Sequence, residues 1–322
     1  MPRMDYEASE FPASYGAALS GAQALEFTWS ELVWAAVSVG RAELMHIVRH
    51  GPFSAFEIVY RAAILFANLR ETHSGHLARS AAYQGLDPSE KGAVSYFMGL
   101  AAAKLLSDRL LNVPWLMHVD VYRQELQIPG GAMRPDLVGQ NAAGQWIAVE
   151  SKGRTHGFSA GAMLKAKEQV ETLATVKGEP VVLRVALQAH FGGGLLQCAL
   201  RDPDEPRERE RRIDLPLERV RFYEGYYRPY REWLATAPSM RRETVRGRNF
   251  LVADLPEVDV AVGLLEQTVK EKKPPAAERF TVEGDGVAQQ EGLYIGADGV
   301  MVRAGALWSQ DNMRHEPQER ER

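Results

Sequence analysis

The strongest constraint in this sequence is a threefold change of hydrophobic period between Asp87 and Leu187. Asp87-Pro88-Ser89-Glu90 places a capping Asp, a Pro at the first helical position and a Glu at the third, which predicts a helix running to about Leu111. After Pro114 the pattern becomes extended. Trp115 to Leu126, Arg134 to Gly139 and Gln145 to Gly153 read as three strands, separated by Pro129-Gly130-Gly131 and Asn141-Ala142-Ala143-Gly144. Ala160 to Val176 returns to helical spacing, with Met163, Ala166, Val170 and Leu173 inward, and Gly178 stops it before a strand from Val181 to Leu187. The element order is therefore α-β-β-β-α-β, which sets the class as α/β.

The flanks are less regular. Residues 1–24 show no strong period and read as a loosely held lead-in. Thr28-Trp29-Ser30-Glu31 has the form of a capping box and opens a helix to about His50, ended by Gly51-Pro52. Ser54-Ala55-Phe56-Glu57 repeats the signature before Ile58, Ala62, Leu65 and Leu69, which share one helical face. Beyond Gly192 come a charged stretch from Arg201 to Arg212, an aromatic segment from Phe222 to Trp233 and a Pro256-led helix to about Lys273. A short β unit from Leu293 to Arg303, turning at Ala297-Asp298-Gly299, is followed by a polar tail. At about 150 residues per domain, the 322 residues divide into a helical region (1–86), a central core (87–195), an α+β appendage (196–308) and a disordered tail (309–322).

Composition excludes several classes. With 45% hydrophobic and 25% charged residues the chain is neither largely disordered nor collagenous nor a coiled coil. The lone Cys198 rules out an internal disulfide, a multi-cysteine zinc site and an all-cysteine iron-sulfur cluster. Lys and Arg number 38 against 42 Asp and Glu, a net charge of −4, so any phosphate-binding surface must be local. The longest run free of charged side chains, Val185 to Leu200, is interrupted by glycines and too short to cross a membrane. Asp5, Glu7 and Glu10 stand where an export signal would be basic and apolar, so a cytoplasmic location is expected.

Chemistry concentrates in Arg134-Pro135-Asp136-Leu137-Val138-Gly139 and, across one turn, Trp146-Ile147-Ala148-Val149-Glu150-Ser151-Lys152. On a strand Glu150 and Lys152 project together while Val149 and Ser151 face the other way. An antiparallel partner through Asp136 brings a second carboxylate beside them, an oxygen-rich set suited to Mg²⁺ or Mn²⁺ and a phosphodiester substrate. These residues resemble the PD-(D/E)XK nuclease superfamily, Pro135-Asp136 matching its PD element and Glu150-Ser151-Lys152 its (D/E)XK element. The resemblance covers residues 87–190 and implies a restriction-endonuclease-like α-β-β-β-α-β core. It further implies a Mg²⁺ (or Mn²⁺) held by Asp136, Glu150 and the Ser151 carbonyl, with Lys152 orienting the attacking water or stabilising the transition state. The expected activity is hydrolysis of nucleic acid, DNA in preference to RNA, in a role such as bacterial restriction or antiviral defence. A homodimer or a complex with a partner protein fits such a role.

Each residue also has a plainer reading. Asp136 can be a turn residue after Pro135, and Glu150 with Lys152 an ion pair on a solvated strand. Glu90 matches an accessory acidic ligand of the family, yet its place in the capping box explains it already. Gln169 partly matches another accessory position, Leu173 standing where some members carry Tyr. Lys165, Gln169 and Thr172 share a helical face that either lines a nucleic-acid groove or is solvated. Arg154 is a candidate phosphate contact, whereas His156 reads as an exposed loop residue. Between Arg219 and Arg248 eight arginines face three glutamates among Phe222, Tyr223, Tyr226, Tyr227, Tyr230 and Trp233. That makeup suits a nucleic-acid platform or, preferably, a buried aromatic anchor with a solvated rim. The runner-up function is a non-catalytic interaction module that keeps the nuclease fold and assembles with a protein.

Overall fold

The structure, a computed structural model, describes residues 1–39, 55–119, 134–202, 213–271, 274–275 and 292–315. The N-terminus is not a loose lead-in. It forms β1 (Arg3–Ser9) and β2 (Gly21–Glu26), an antiparallel pair in which Met4, Tyr6 and Ala8 alternate inward between charged neighbours. Helix α1 (Trp29–Ser38) starts at Thr28, whose hydroxyl accepts the Glu31 N–H at 3.1 Å. No capping box closes, because the buried Glu31 carboxylate instead receives Arg109 at 2.7 Å. The helix ends at Ser38 rather than near His50, and Gly51-Pro52 lies outside the described residues.

Helix α2 (Ala55–Asn68) is followed by a short antiparallel hairpin of β3 (Leu69–Glu71) and β4 (Leu77–Arg79), then by α3 (Ala81–Gly85), capped by Ser80. The expected helical region thus carries four strands, the two in this hairpin too short to show a period. Helix α4 (Pro88–Leu111) has the expected Asp87–Glu90 capping box and stops at Asn112, which takes a left-handed φ of 56°.

Strands β5 (Trp115–His118), β6 (Leu137–Gln140) and β7 (Trp146–Gly153) pair as antiparallel neighbours. Residues 120–133, with the rest of the first expected strand and Pro129-Gly130-Gly131, lie outside the described residues. Helix α5 (Ala160–Val170) is shorter than expected, and Leu173 leaves it for β8 (Leu173–Val176). The Thr172 N–H and hydroxyl both donate to the Gln169 carbonyl and end the helix, so the buried Thr172 does not share an exposed face with Lys165. Strand β9 (Glu179–Gly192) runs parallel to β7, and β10 (Leu195–Arg201) folds back on it through Gly193 and Gly194, both at positive φ. Because β10 also pairs in parallel with β1, the strand order is β2-β1-β10-β9-β7-β6-β5. Strand β11 (Ile213–Leu215) pairs with β8. Most of the charged stretch, residues 203–212, is not described.

Helix α6 (Arg219–Thr236) carries the aromatic segment, and Phe222, Tyr226, Tyr227, Tyr230 and Trp233 are buried along one face. They form the anchor of that segment and are not exposed for base stacking. Strands β12 (Arg241–Val245), β13 (Arg248–Leu255) and β14 (Val260–Leu265) begin a second sheet. The Pro256-led helix is therefore corrected: Pro256–Val258 is one tight turn, and the apolar run after Asp259 is a strand buried on both faces. An unbroken apolar run of that length lacks the period that separates strand from helix. Only α7 (Glu266–Glu271) is helical before β15 (Leu293–Ile295) and β16 (Val300–Ala304) complete the order β12-β13-β14-β16-β15. The expected disordered tail begins as α8 (Gln310–Arg314), with Arg314 held 2.5 Å from the buried Glu71.

Every residue of α1 is buried, because the helix packs against α4 on one side and β15 and β16 on the other. The two sheets share a core through it. On β7, α4 covers one face and α5 the other, which buries the strand from Trp146 to Ser151. Close approach to α4 needs glycine on both partners. A Cβ on Gly99 would lie 2.9 Å from the Gly153 nitrogen, and one on Gly153 would run into the Ser95 carbonyl. Gly153→Ala is expected to cost about 2 kcal/mol and to lower Tm by roughly 4–8 °C. Thermal unfolding followed by circular dichroism checks this, and an unchanged Tm would mean that α4 shifts freely over β7.

Candidate functional site

Strand pairing assembles the site. Leu137 opposes Val149, so Asp136 stands opposite Glu150 at the next position, and cross-strand neighbours project to the same face. The Glu150 Oε2 accepts the Asp136 N–H at 2.7 Å, while the Asp136 Oδ2 accepts the Ser151 N–H at 3.2 Å. Lys152, two residues along the strand, bonds the Glu150 Oε1 and also donates to Gln169 Oε1 at 2.7 Å. Ser151 projects to the other face, its Oγ near Gly99, so only its main chain belongs to the site.

The second helix is aimed by β9. Gln188, paired with Lys152 in the strand register, is fully buried and grips Ser159 at both ends of its main chain, accepting the N–H at 2.7 Å and donating to the carbonyl at 3.0 Å. Ser159 then caps α5, accepting the Ala162 N–H at 3.3 Å. This fixes where the helix starts and carries Gln169 over Lys152. Gln188 went unnoticed in the sequence, since nothing marks a single Gln in an apolar strand as a clamp.

Glu150 is 0% exposed, against the plainer alternative of a solvated strand face. Burial first, and then the neighbouring Asp136 carboxylate, push its carboxyl up to about 8 against the pull of Lys152. Glu150 thus lies buried beside a second carboxylate, with the part-exposed Lys152 ammonium between it and Gln169.

The other candidates fall elsewhere. Glu90 is exposed and its carboxylate accepts the Asp87 N–H at 3.1 Å. It lies nine residues before Gly99 on α4, about 13 Å along the helix, and does not join Asp136 and Glu150. Lys165 is exposed on α5, and Arg154 donates to the Gly157 carbonyl at 3.3 Å in the loop after β7. Among the described residues no three His, Cys, Asp or Glu side chains converge as a metal-binding group. The site is a pair of carboxylates with a lysine and an amide. No described helix is long and apolar enough to cross a membrane.

Comparison of the chain with known protein families, with curated proteins and with solved structures finds no match in any of the three.

Proposed function

We propose that the protein is a divalent-metal-dependent phosphodiesterase acting on nucleic acid, DNA in preference to RNA. One observation carries the reading: Asp136, Glu150 and Lys152 meet on one face of adjacent antiparallel strands, with Gln169 closing the set from α5. The run α4-β5-β6-β7-α5-β8-β9, with β9 parallel to β7 and the short β8 inserted before it, supports a restriction-endonuclease-like core.

The donors fit Mg²⁺ or Mn²⁺, which bind through one or two carboxylates and keep waters and substrate oxygens for the rest. Asp136, Glu150 and the Ser151 carbonyl would hold the ion. Glu150, pushed towards its protonated form first by burial and then by a second carboxylate, is a group that a cation would relieve. When bound, the ion supplies polarisation of the phosphate and a more acidic water. Lys152 places a fixed positive charge where negative charge develops on the phosphorus oxygens. Gln169 holds that ammonium in place, and Gln188 holds the helix that carries Gln169.

A second reading, a non-catalytic module for protein assembly, is favoured by the fact that Glu150 satisfies both its oxygens within the chain. The discriminating experiment is cleavage of single- and double-stranded DNA and RNA at low salt with Mg²⁺, Mn²⁺ or EDTA, by wild type and Lys152→Ala. Metal-dependent cleavage that falls by about 10²–10³-fold in Lys152→Ala is expected. A folded wild type that cuts nothing, and whose Tm neither ion raises, leaves the assembly reading.

A further inference from the structure

A cleft of about 570 Å³ lies beyond the end of β7, outside the carboxylate pair. Arg70 and Arg79 from the β3–β4 hairpin, Lys91 from the start of α4 and His156 from the loop after β7 line it, with the hydroxyls of Thr72 and Thr155. No Asp or Glu lines it, in a chain whose net charge is −4. Such segregation focuses a positive potential in the cleft and selects an anion with several oxygens.

Two of the cationic groups, Arg79 and Lys91, are held in place. The Arg79 guanidinium lies 5.1 Å from the centre of the Phe191 ring and 5.9 Å from that of Tyr83, which fixes its plane and leaves its donors for a ligand. Lys91 donates to the Gln84 carbonyl at 2.8 Å. Gly193 and Gly194 complete the wall at positive φ, and a Cβ on either would meet only open space, so main chain there is approachable.

Two features favour a strand over a single phosphate. A second depression of about 690 Å³ shares Arg70 and Thr72 with the first and continues past His73, His315 and Glu71, the last a buried carboxylate already bonded by Arg314 and Gln310, so the two form one track. The cleft also sits at the carboxyl ends of the parallel pair β7 and β9, where open α/β sheets take their ligands. From Lys152 to His156 is four residues, at most about 14 Å of extended chain.

We propose that this cleft binds the phosphate backbone of a nucleic-acid strand and leads it to Asp136, Glu150 and Lys152. Only its role as a substrate path rests on the nuclease reading; the binding itself does not. The test is fluorescence anisotropy of a labelled single-stranded oligodeoxynucleotide in EDTA across a salt series, with wild type, Arg79→Gln, Lys91→Gln, the double variant, and Arg241→Gln on the second sheet as control. Each cleft substitution is expected to lower the slope of log K against log salt by about 0.7, and the double variant to bind about tenfold more weakly. The control is expected to match wild type.

A folded double variant with wild-type affinity and slope overturns the proposal. So does displacement of the oligonucleotide by inorganic phosphate at equal phosphate concentration, which would make the cleft a small-anion pocket. If Arg79→Gln fails to fold, Lys91→Gln and Lys91→Glu carry the test, since that amine is bonded to one surface carbonyl. With EDTA present cleavage plays no part. Binding through the cleft by a protein that cuts nothing keeps the cleft and removes the nuclease, whereas undiminished binding and cutting by the double variant does the reverse.

Discussion

Asp298→Ala is expected to lower the unfolding free energy by about 3–5 kcal/mol, a fall in Tm of roughly 10 °C. Asp298 lies in the turn between β15 and β16 and is completely buried. Its Oδ1 accepts Trp34 Nε1 at 3.1 Å and the Val300 N–H at 3.0 Å, and its Oδ2 accepts the Tyr226 hydroxyl at 2.6 Å. The Lys104 ammonium, also fully buried, stands 3.8 Å away, donates to Tyr226 Oη at 2.7 Å and bonds the Pro114 carbonyl. It lies 4.6 Å from the Trp34 ring centre and 4.9 Å from that of Tyr226. Burial pulls Lys104 down to about 8 and pushes Asp298 up, each partner opposing the shift of the other.

This cluster ties α4, α1, α6 and the second sheet together. Removing the carboxylate leaves three donors without their acceptor and one ammonium without its counter-charge in a dry core, and the cost is mainly the charge left behind. Asp298→Asn keeps an acceptor oxygen and is expected to cost about 1–3 kcal/mol. Lys104→Met combined with Asp298→Asn should recover part of the loss. Urea titrations of the three proteins check the series, and a cost under about 1 kcal/mol for Asp298→Ala would show that water reaches the cluster.

Glu150→Gln and Asp136→Asn are expected to reduce metal-dependent cleavage on the order of 10³-fold while leaving the protein folded. Glu150→Gln carries a second, independent signature. With its carboxyl raised to about 8, folded Glu150 keeps a proton that the unfolded chain releases in the ordinary carboxylate range. Its contribution to metal-free stability is full below that range and is lost as pH rises through about 8, because the folded state then binds the extra proton. Glu150→Gln has no such proton and should lack that slope. Metal binding needs the ionised carboxylate, so the affinity of wild type for Mg²⁺ should rise with pH up to about 8. Denaturant unfolding at several pH values in EDTA, beside calorimetric Mg²⁺ titrations, reads both. Parallel pH profiles for wild type and Glu150→Gln would place Glu150 in contact with solvent and remove the basis for its raised value.

Much of the central fold was legible in the sequence because local signals there agree. The Asp87–Glu90 box, the turn at Asn141-Ala142-Ala143-Gly144 and the helical spacing from Ala160 each act within a few residues, and the helix-strand order follows from them except for β8. The aromatic spacing of α6 likewise announces one buried face. Where local pattern and tertiary demand differ, the sequence misleads. Strand β1 shows a period of two over Arg3–Ser9 although the lead-in as a whole looks irregular, whereas β14 is too uniformly apolar to show a period, so the sheet it joins settles its conformation.

By itself the sequence determined the α/β class, the central order of elements apart from β8 and the grouping of Glu150 with Lys152 on one strand face, since a strand's period of two depends on nothing beyond the strand. Tertiary structure alone decided the rest. Pairing of β6 with β7 set Asp136 opposite Glu150, the covering helices buried the Glu150 carboxylate, and Gln188 aimed Gln169 at Lys152. It also joined Lys104 to Asp298, 3.8 Å apart across the core. Burial and pairing between segments distant in the chain are properties of the whole packing, and no short stretch of residues carries them.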